Sequence, residues 1–435
     1  MHRDERTLES AESSLNLRVL LLSVTSPLPA NNGVKMRTFS MLRSLAGDGH
    51  ELTLLTFDSQ ETDSHFGELR QLCKRVITIP HRLESMSLSR NYLSRLKHLS
   101  SRLPFGVESV RSSQMKTEID KLLGEDAFDI ILSEQTDLVV NLPSAMSIPL
   151  IVDFHNAEYL ILERYIRFER NLAKRLYARL ECQKLKNWER YCCRRAAIGM
   201  ACSEHDRRLL HSLNPELPIL VVPNAIDVTA YSADSTEEPH TILFQGGMDW
   251  YPNRDAVEFF VHNIFHLVQR QIPGVKFVVA GRNPPEDFQN RITTANRNVE
   301  FTGTVADMRS QIAKAAVCVV PLRIGSGTRL KILESAAMAK SVVSTTIGAE
   351  GLEFRDGQEI LLRDHPVEFA TAIVELLRAP SRRRALGSAA RARVEQTYSF
   401  ECLQSSIRPV IGALVKGKIH RGVPPRSTDS LLARS

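Results

Sequence analysis

The sequence predicts an α/β protein of two doubly wound, Rossmann-like domains facing each other across a cleft. Three observations predict it. Apolar runs of strand length alternate with helix-period segments along most of the 435 residues. Those runs are apolar nearly throughout rather than alternating, as parallel strands covered on both faces require. The series then stops at a polar stretch, DVTAYSADSTEEPH (227–240), and restarts beyond it. Two successive series mean two sheets, and the polar stretch reads as their linker. In such sheets ligands bind beyond the carboxyl ends of the strands, and in two-domain versions between the domains.

A polar lead-in, residues 1–16, has no apolar segment of signal-peptide type and reads as disordered. The N-terminal domain is expected over 17–226. Its strands are 17–24, 51–57, 75–79, 128–133, 149–154, 197–202 and 218–222, with helical stretches at 34–47, 113–124 and 156–195. The C-terminal domain is expected over 241–398. Its strands are 241–246, 275–281, 298–303, 316–321, 341–345 and 359–362, with helices at 253–271, 329–339, 366–378 and 381–396. Residues 399–415 read as a helix returning to the N-terminal domain, and 416–435 as a disordered basic tail.

Composition narrows the class. The chain is 43% hydrophobic and 24% charged, with a net charge of +6. That is globular composition with a mild bias toward anionic partners. No stretch approaches the roughly 18 apolar residues of a spanning helix. The seven cysteines are odd in number and form no C-x-x-C, so reduced, packed thiols are expected in a cytoplasmic protein. No D-x-D triplet occurs. A metal-clamped diphosphate usually needs such paired carboxylates, so no metal and no other cofactor is expected. GALVKGK (412–418) matches most of a P-loop, but Ile419 stands where Ser or Thr must bind magnesium.

The most informative stretch is PLRIGSGTRLKILESAAMA, residues 321–339. It leaves a strand, crosses a loop at Gly325, Ser326 and Gly327, and enters a helix. Thr328 is placed to cap that helix, and Arg329 and Lys331 fall in its first turn. Each cation at a positive helix end costs roughly 0.3–1 kcal/mol. An anion at the loop reverses the sign by accepting free N–H groups and pairing with both cations. Glu334 follows Lys331 by three residues on the same side, where a carboxylate can accept from two ribose hydroxyls. The competing reading is a solvated helix with a surface Lys331–Glu334 pair.

Several stretches give the chain a family resemblance. They are ILFQGGMDWYPNRDAVEFF (242–260), VKFVVAGRNPP (275–285), VEFTGTVADM (299–308) and VVPLRIGSGTRLKILESAAMAKSVVSTTIGAEGLEF (319–354). In the first half come SPLPANNGVKMRTFSMLRSLAGDGHELTLLTF (26–57), VDFHNAEYL (152–160), ACSEHDRRLL (201–210) and VVPNAID (221–227). Together these resemble glycosyltransferase family 4, retaining enzymes of the two-domain GT-B type, over roughly residues 17–400.

The resemblance implies roles. Gly33, in the Asn-Asn-Gly loop after the first strand, faces donor phosphates or acceptor, and Arg37 lies near it on the first helix. His155 matches the histidine beside the transferred sugar. Gly246 and Gly247 match the loop after the first strand of the donor domain. Glu334 matches the second member of the family's paired glutamates, and Arg329 and Lys331 look like the cations at the diphosphate. The first glutamate of that pair is replaced here by Ser326, so the serine and its backbone must substitute. Relatives carry Arg and Lys in the loop that here reads GGMDWYPNRDA, where Arg254 sits late.

Bland readings stand beside these. His155 is either a cleft group or a buried histidine bonded to backbone. Gly33 is either functional or a turn former, and Arg37 is more commonly a solvated helix residue. Glu350 and Gly351 either approach the donor or close a loop. The basic segment 158–195 reads first as a solvated amphipathic helix, because five acids interrupt its basic face. The second reading is peripheral contact with an acidic membrane face at the inner membrane.

The expected reaction is hexosyl transfer from a nucleotide diphosphate sugar, by family habit a UDP-sugar, to a glycan or lipid-linked acceptor. Retention is inherited from the resemblance, and a polysaccharide or cell-envelope pathway is the expected setting. The alternatives are a GT-B nucleotide-sugar epimerase and a non-catalytic sugar-nucleotide-binding protein. Nucleic acid is not an expected partner, since no basic surface interleaved with stacking aromatics is evident.

Overall fold

A computed structural model describes residues 16–57, 65–80, 98–233 and 237–415. Residues 1–15 of the expected lead-in, part of the linker and the basic tail lie outside them. The chain forms two compact units. The first comprises residues up to Tyr159, Asn171–Pro223 and the chain from Leu403; the second comprises Leu160–Arg170 and Asn224–Cys402. The second unit therefore takes in eleven residues, 160–170, that the sequence places in the first domain.

The first unit is built on a seven-stranded sheet in the order β3-β2-β1-β4-β5-β6-β7. The strands are β1 (Arg18–Ser23), β2 (Glu51–Phe57), β3 (Arg75–Ile79), β4 (Ile130–Glu134), β5 (Leu150–Phe154), β6 (Ile198–Ala201) and β7 (Ile219–Val221). All pairs are parallel. Central strands such as RVLLLS and LIVDF are buried nearly end to end, which is why they read as continuous apolar runs. The helices between these strands are α1 (Gly33–Gly47), α2 (Phe66–Leu72), α3 (Phe105–Ser109), α4 (Ser113–Glu125), α5 (Glu158–Phe168), which passes into the second unit from Leu160, α6 (Leu172–Arg195) and α7 (Glu204–Leu213). The expected single helix over 156–195 is two helices. Asn171 restarts the second by accepting from the Lys174 amide at 3.1 Å, a side-chain cap that ends the first run.

The second unit has a six-stranded parallel sheet in the order β10-β9-β8-β11-β12-β13. Its strands are β8 (Thr241–Gln245), β9 (Lys276–Ala280), β10 (Val299–Gly303), β11 (Val317–Val320), β12 (Val342–Ser344) and β13 (Leu361–Leu362). Helix α8 (Tyr251–Phe259) passes through a π-helical stretch, Phe260–Phe265, into α9 (His266–Gln271). The extra residue per turn brings Phe260 onto Phe277, with ring centroids 4.4 Å apart, in the centre of the core. Helices α10 (Glu286–Ala295), α11 (Met308–Lys314), α12 (Leu330–Ala337), α13 (Pro366–Arg378) and α14 (Pro380–Thr397) complete this unit. The last helix, α15 (Phe400–Val415), joins the first unit from Leu403 onward, where Gln404 and Arg408 bond Asp48 at 2.6 and 2.8 Å.

Both sheets are open, and each central β-to-α loop lies at the carboxyl end of its strand. That edge positions every candidate residue that follows.

Candidate functional site

In the second unit, β8 ends at Gln245 and the chain turns through Gly246 and Gly247. A Cβ at Gly246 would lie 2.9 Å from the Lys331 Nζ and 2.7 Å from the Asn253 amide nitrogen. Only glycine leaves room for those two side chains to converge there. The loop is pinned from α8, where Asn253 Nδ2 donates to the Gly247 carbonyl at 2.8 Å and Arg254 to Met248 at 2.6 Å. Arg254 thus holds the loop's backbone.

Beside it runs the Gly325–Gly327 loop after β11. Among the described residues, no acceptor takes the backbone N–H groups of residues 325–328. Ser326 is 6% exposed and its hydroxyl has no hydrogen-bond partner. The Gln245 Oε1 is buried and unpartnered as well. Buried polar groups are otherwise almost always paired.

Two local expectations are corrected. Thr328 does not cap α12: its Oγ1 accepts from Asn224 Nδ2 at 2.7 Å. The N-cap is Arg329, one residue ahead of the first turn, and no side chain caps the helix. The Arg329 guanidinium folds back onto the carbonyls of Ser326 and Gly327, so it braces the loop. A Cβ at Gly325 would collide with that guanidinium.

Lys331 points from α12 toward the Gly246 turn. Its Nζ donates to Asn253 Oδ1 at 2.8 Å and sits 4.3 Å from the centre of the Phe244 ring. Burial, helped by Arg329 nearby and opposed by Glu334, lowers its pKa to about 7. Glu334 accepts from Tyr231 Oη and from Gln245 Nε2, each at 3.2 Å, and burial raises its pKa to about 7. Burial thus disfavours charge on Lys331, in the same unit as the unpaired N–H groups of residues 325–328. Glu350, left open between donor contact and loop closure, is forked by Arg164 at 2.6 and 2.7 Å. Arg164 also donates to the Gly325 carbonyl.

The first unit carries a second cluster at the ends of β4 and β5. His155 follows β5, with its Nε2 2.9 Å from Glu134 and 3.4 Å from Asp153. Arg37 on α1 forks Asp153 at 2.6 Å through both Nε and Nη2, and donates to the Val222 carbonyl at 3.0 Å. Sequence reasoning missed Glu134, which follows the expected strand 128–133, and Asp153, which lies inside the expected strand 149–154. It also placed Arg37 near a ligand or in solvent. The structure corrects this: Arg37 is 3% exposed and its fork is occupied by Asp153. Gly33 opens α1 behind Asn32, whose side chain caps the helix through the Lys35 amide at 3.0 Å.

Burial opposes charge on His155, but its bonds to Asp153 and Glu134 prevail and raise its pKa to about 9. Burial likewise opposes ionisation of Asp153, yet Arg37 and His155 hold it well below the usual carboxylate range. Burial, then the charge of Asp153, pushes Glu134 up. The Glu134, Asp153 and His155 ligand atoms all lie within 4.8 Å of one another, a spacing compatible with a metal ion. Arg37 on both Asp153 oxygens, with a protonated His155, already balances the two carboxylates.

A pH dependence follows. The folded pKa of His155 lies above its unfolded value, so its stabilisation is complete below pH 6.5 and is lost as pH rises toward 9. The expected loss is about 3 kcal/mol at most. Urea melts between pH 6 and 9.5 should show the decline, and His155→Gln should flatten it. An unchanged slope in the variant would remove the assignment.

Comparison with known proteins adds to this geometry. Residues 31–230 match the family model described as Glycosyltransferase Family 4, and residues 239–379 match that described as Glycosyl transferases group 1. An uncharacterised 44.6 kDa protein in the cps region of Klebsiella pneumoniae is 22% identical over 405 residues, covering 90% of this chain and 98% of that one. Sucrose-phosphate synthase from Thermosynechococcus elongatus superposes with a TM-score of 0.69 at 16% identity, over 92% of this chain and 100% of that one. HepE from Anabaena, in complex with UDP and glucose, gives 0.62 at 15% identity, over 92% of this chain and 100% of that one.

Proposed function

The chain belongs to the GT4-like glycosyltransferases of the GT-B fold, and on that premise we propose that it transfers a hexose from a UDP-sugar to a glycan or lipid-linked acceptor, with retention and without a metal. The observation that carries the donor reading is the set of unpaired N–H groups of residues 325–328, in the same unit as a Lys331 whose pKa burial lowers to about 7. The N–H groups of residues 325–328 take the diphosphate, Lys331 regains its proton against it, and Arg329 keeps the loop in shape. Glu334, steadied by Tyr231 and Gln245, accepts from the ribose hydroxyls. Ser326 offers its free hydroxyl to the sugar in place of the family's first glutamate. Charge grows on the departing diphosphate in the transition state, and fixed donors there stabilise it most. The leaving phosphate oxygen then accepts the acceptor's proton, which gives same-face attack. The first unit supplies the acceptor side, with His155 as its polar group.

Six of the seven cysteines are buried free thiols, which supports a reducing, cytoplasmic setting. Among the described residues no helix is long and apolar enough to cross a membrane. The relative named for a cps region and the UDP-bound neighbour support a polysaccharide or cell-envelope role and a uridine carrier.

Calorimetric titration with UDP, GDP, ADP and their sugars tests the reading. One site with preference for UDP is expected. Glu334→Gln should weaken UDP binding about tenfold to a hundredfold, the range of a hydrogen bond to a charged acceptor. A protein that binds none of these nucleotides ends the proposal.

A further inference from the structure

Helix α6 presents an apolar stripe that no described residue of its own unit covers. Leu172, Leu176 and Leu180 are 72, 60 and 47% exposed. Their spacing of four residues lines them along one side of the helix. At 100° per residue, Arg175 and Arg179 border that stripe, and Arg190 and Arg194 continue the same side toward the carboxyl end. The first turn is exposed on nearly every side, so this end of the helix stands out from the unit.

Of the five acids that interrupt the basic pattern in the sequence, Glu158 and Glu163 lie on α5 and Glu169 lies between the two helices. The acids of α6 are Glu181 and Glu189, and both are buried. Glu181 accepts from the Phe105 amide at 2.8 Å and pairs with Lys184 at 3.0 Å. Glu189 accepts from the Glu158 amide at 2.6 Å. Folding therefore turns both carboxylates of α6 inward and leaves its leucines and arginines on the outer face.

We propose that this face of α6 docks on an anionic phospholipid surface, with the three leucines entering the headgroup boundary and the arginines meeting lipid phosphates. Apolar burial and attraction to anionic lipid act together in such helices. Charge complementarity selects the lipid over a protein partner. Three leucines also fall well short of the roughly 800 Å² per partner that a stable protein interface buries. The proposal stands whether or not the second unit transfers a sugar.

Sedimentation of the full-length protein with vesicles tests it. Binding is expected to vesicles of phosphatidylcholine with phosphatidylglycerol and not to phosphatidylcholine alone, and should weaken as salt rises. Replacing Leu172, Leu176 and Leu180 together by serine should lower binding at least tenfold, with melting temperature and UDP affinity unchanged. Replacing Arg175 and Arg179 by glutamine should lower it and reduce the salt dependence. Equal binding by the leucine variant would assign any lipid affinity to another segment and overturn the proposal. So would a dimer in light scattering that the leucine variant abolishes while lipid binding is missing, because a second copy would then cover the face.

Discussion

Lys331→Ala is expected to lower sugar transfer at least a hundredfold while leaving the fold intact. Lys331 is half-buried and points at the Gly246 turn, while its buried neighbours Leu330 and Ile332 anchor α12, so the helix keeps its core contacts without it. What is lost is a cation held 2.8 Å from Asn253 and 4.3 Å from the Phe244 ring centre, in a place where burial, helped by Arg329, has lowered its pKa to about 7. The free protein is therefore poised to take up a proton when a diphosphate arrives. The gain is largest when the glycosidic bond breaks and the diphosphate acquires its full charge, so the loss belongs mainly to kcat. Losses of single oxyanion donors run to about 10²–10³. Lys331→Arg should not rescue, because the gap left by Gly246 fits a narrow ammonium and not a planar fork. Initial rates with a UDP-sugar, alongside calorimetry with UDP, separate turnover from binding. Wild-type turnover in the alanine variant would take Lys331 out of the site.

The strands were legible because a parallel sheet hides both faces, which leaves a continuous apolar signature. The two series and the Gly-rich loop after β11 were legible for the same reason. Finer features were not. The break before α6 rests on one asparagine cap in a segment whose helical period never falters. The π-helical stretch within 253–271 is set by how Phe260 and Phe265 pack on Phe277, a tertiary choice. Arg329 was read one position too deep into its helix, so its fold-back onto the loop carbonyls could not be foreseen. Lys331 and Glu334 were legible because helical spacing alone sets them on one side. Glu134 and Asp153 were not, since a carboxylate beside the end of an apolar run gives no sign of a partner more than 100 residues away in sequence. The inward turn of Glu181 and Glu189 was equally invisible, because charge counted along a helix carries no direction until the helix is docked.

Arg37→Ala is expected to destabilise the first unit by about 3–5 kcal/mol, the range for removing one partner of a buried ion pair. Its side chain and that of Asp153 are 2% and 0% exposed, so water cannot replace the lost guanidinium. Asp153 would be left beside Glu134, and His155 would become the nearest cation for both carboxylates. The remaining charge would be relieved by protonation, so the variant should recover part of its stability as pH falls toward 5. Removing both charges, Arg37→Met with Asp153→Leu, should cost far less than the single change, because a buried pair gains little over apolar packing. The contrast separates two roles for the cluster. If it serves only to hold α1 against β5, the double variant keeps both its melting temperature and its activity. If it serves to keep His155 charged, the double variant melts normally but loses turnover, with a pH profile displaced to lower pH as His155 keeps only Glu134. Chemical denaturation at pH 5 and pH 8, read beside the rate profile, distinguishes them. A single variant as stable as the wild type at both pH values would mean that Arg37 is not the countercharge its geometry indicates.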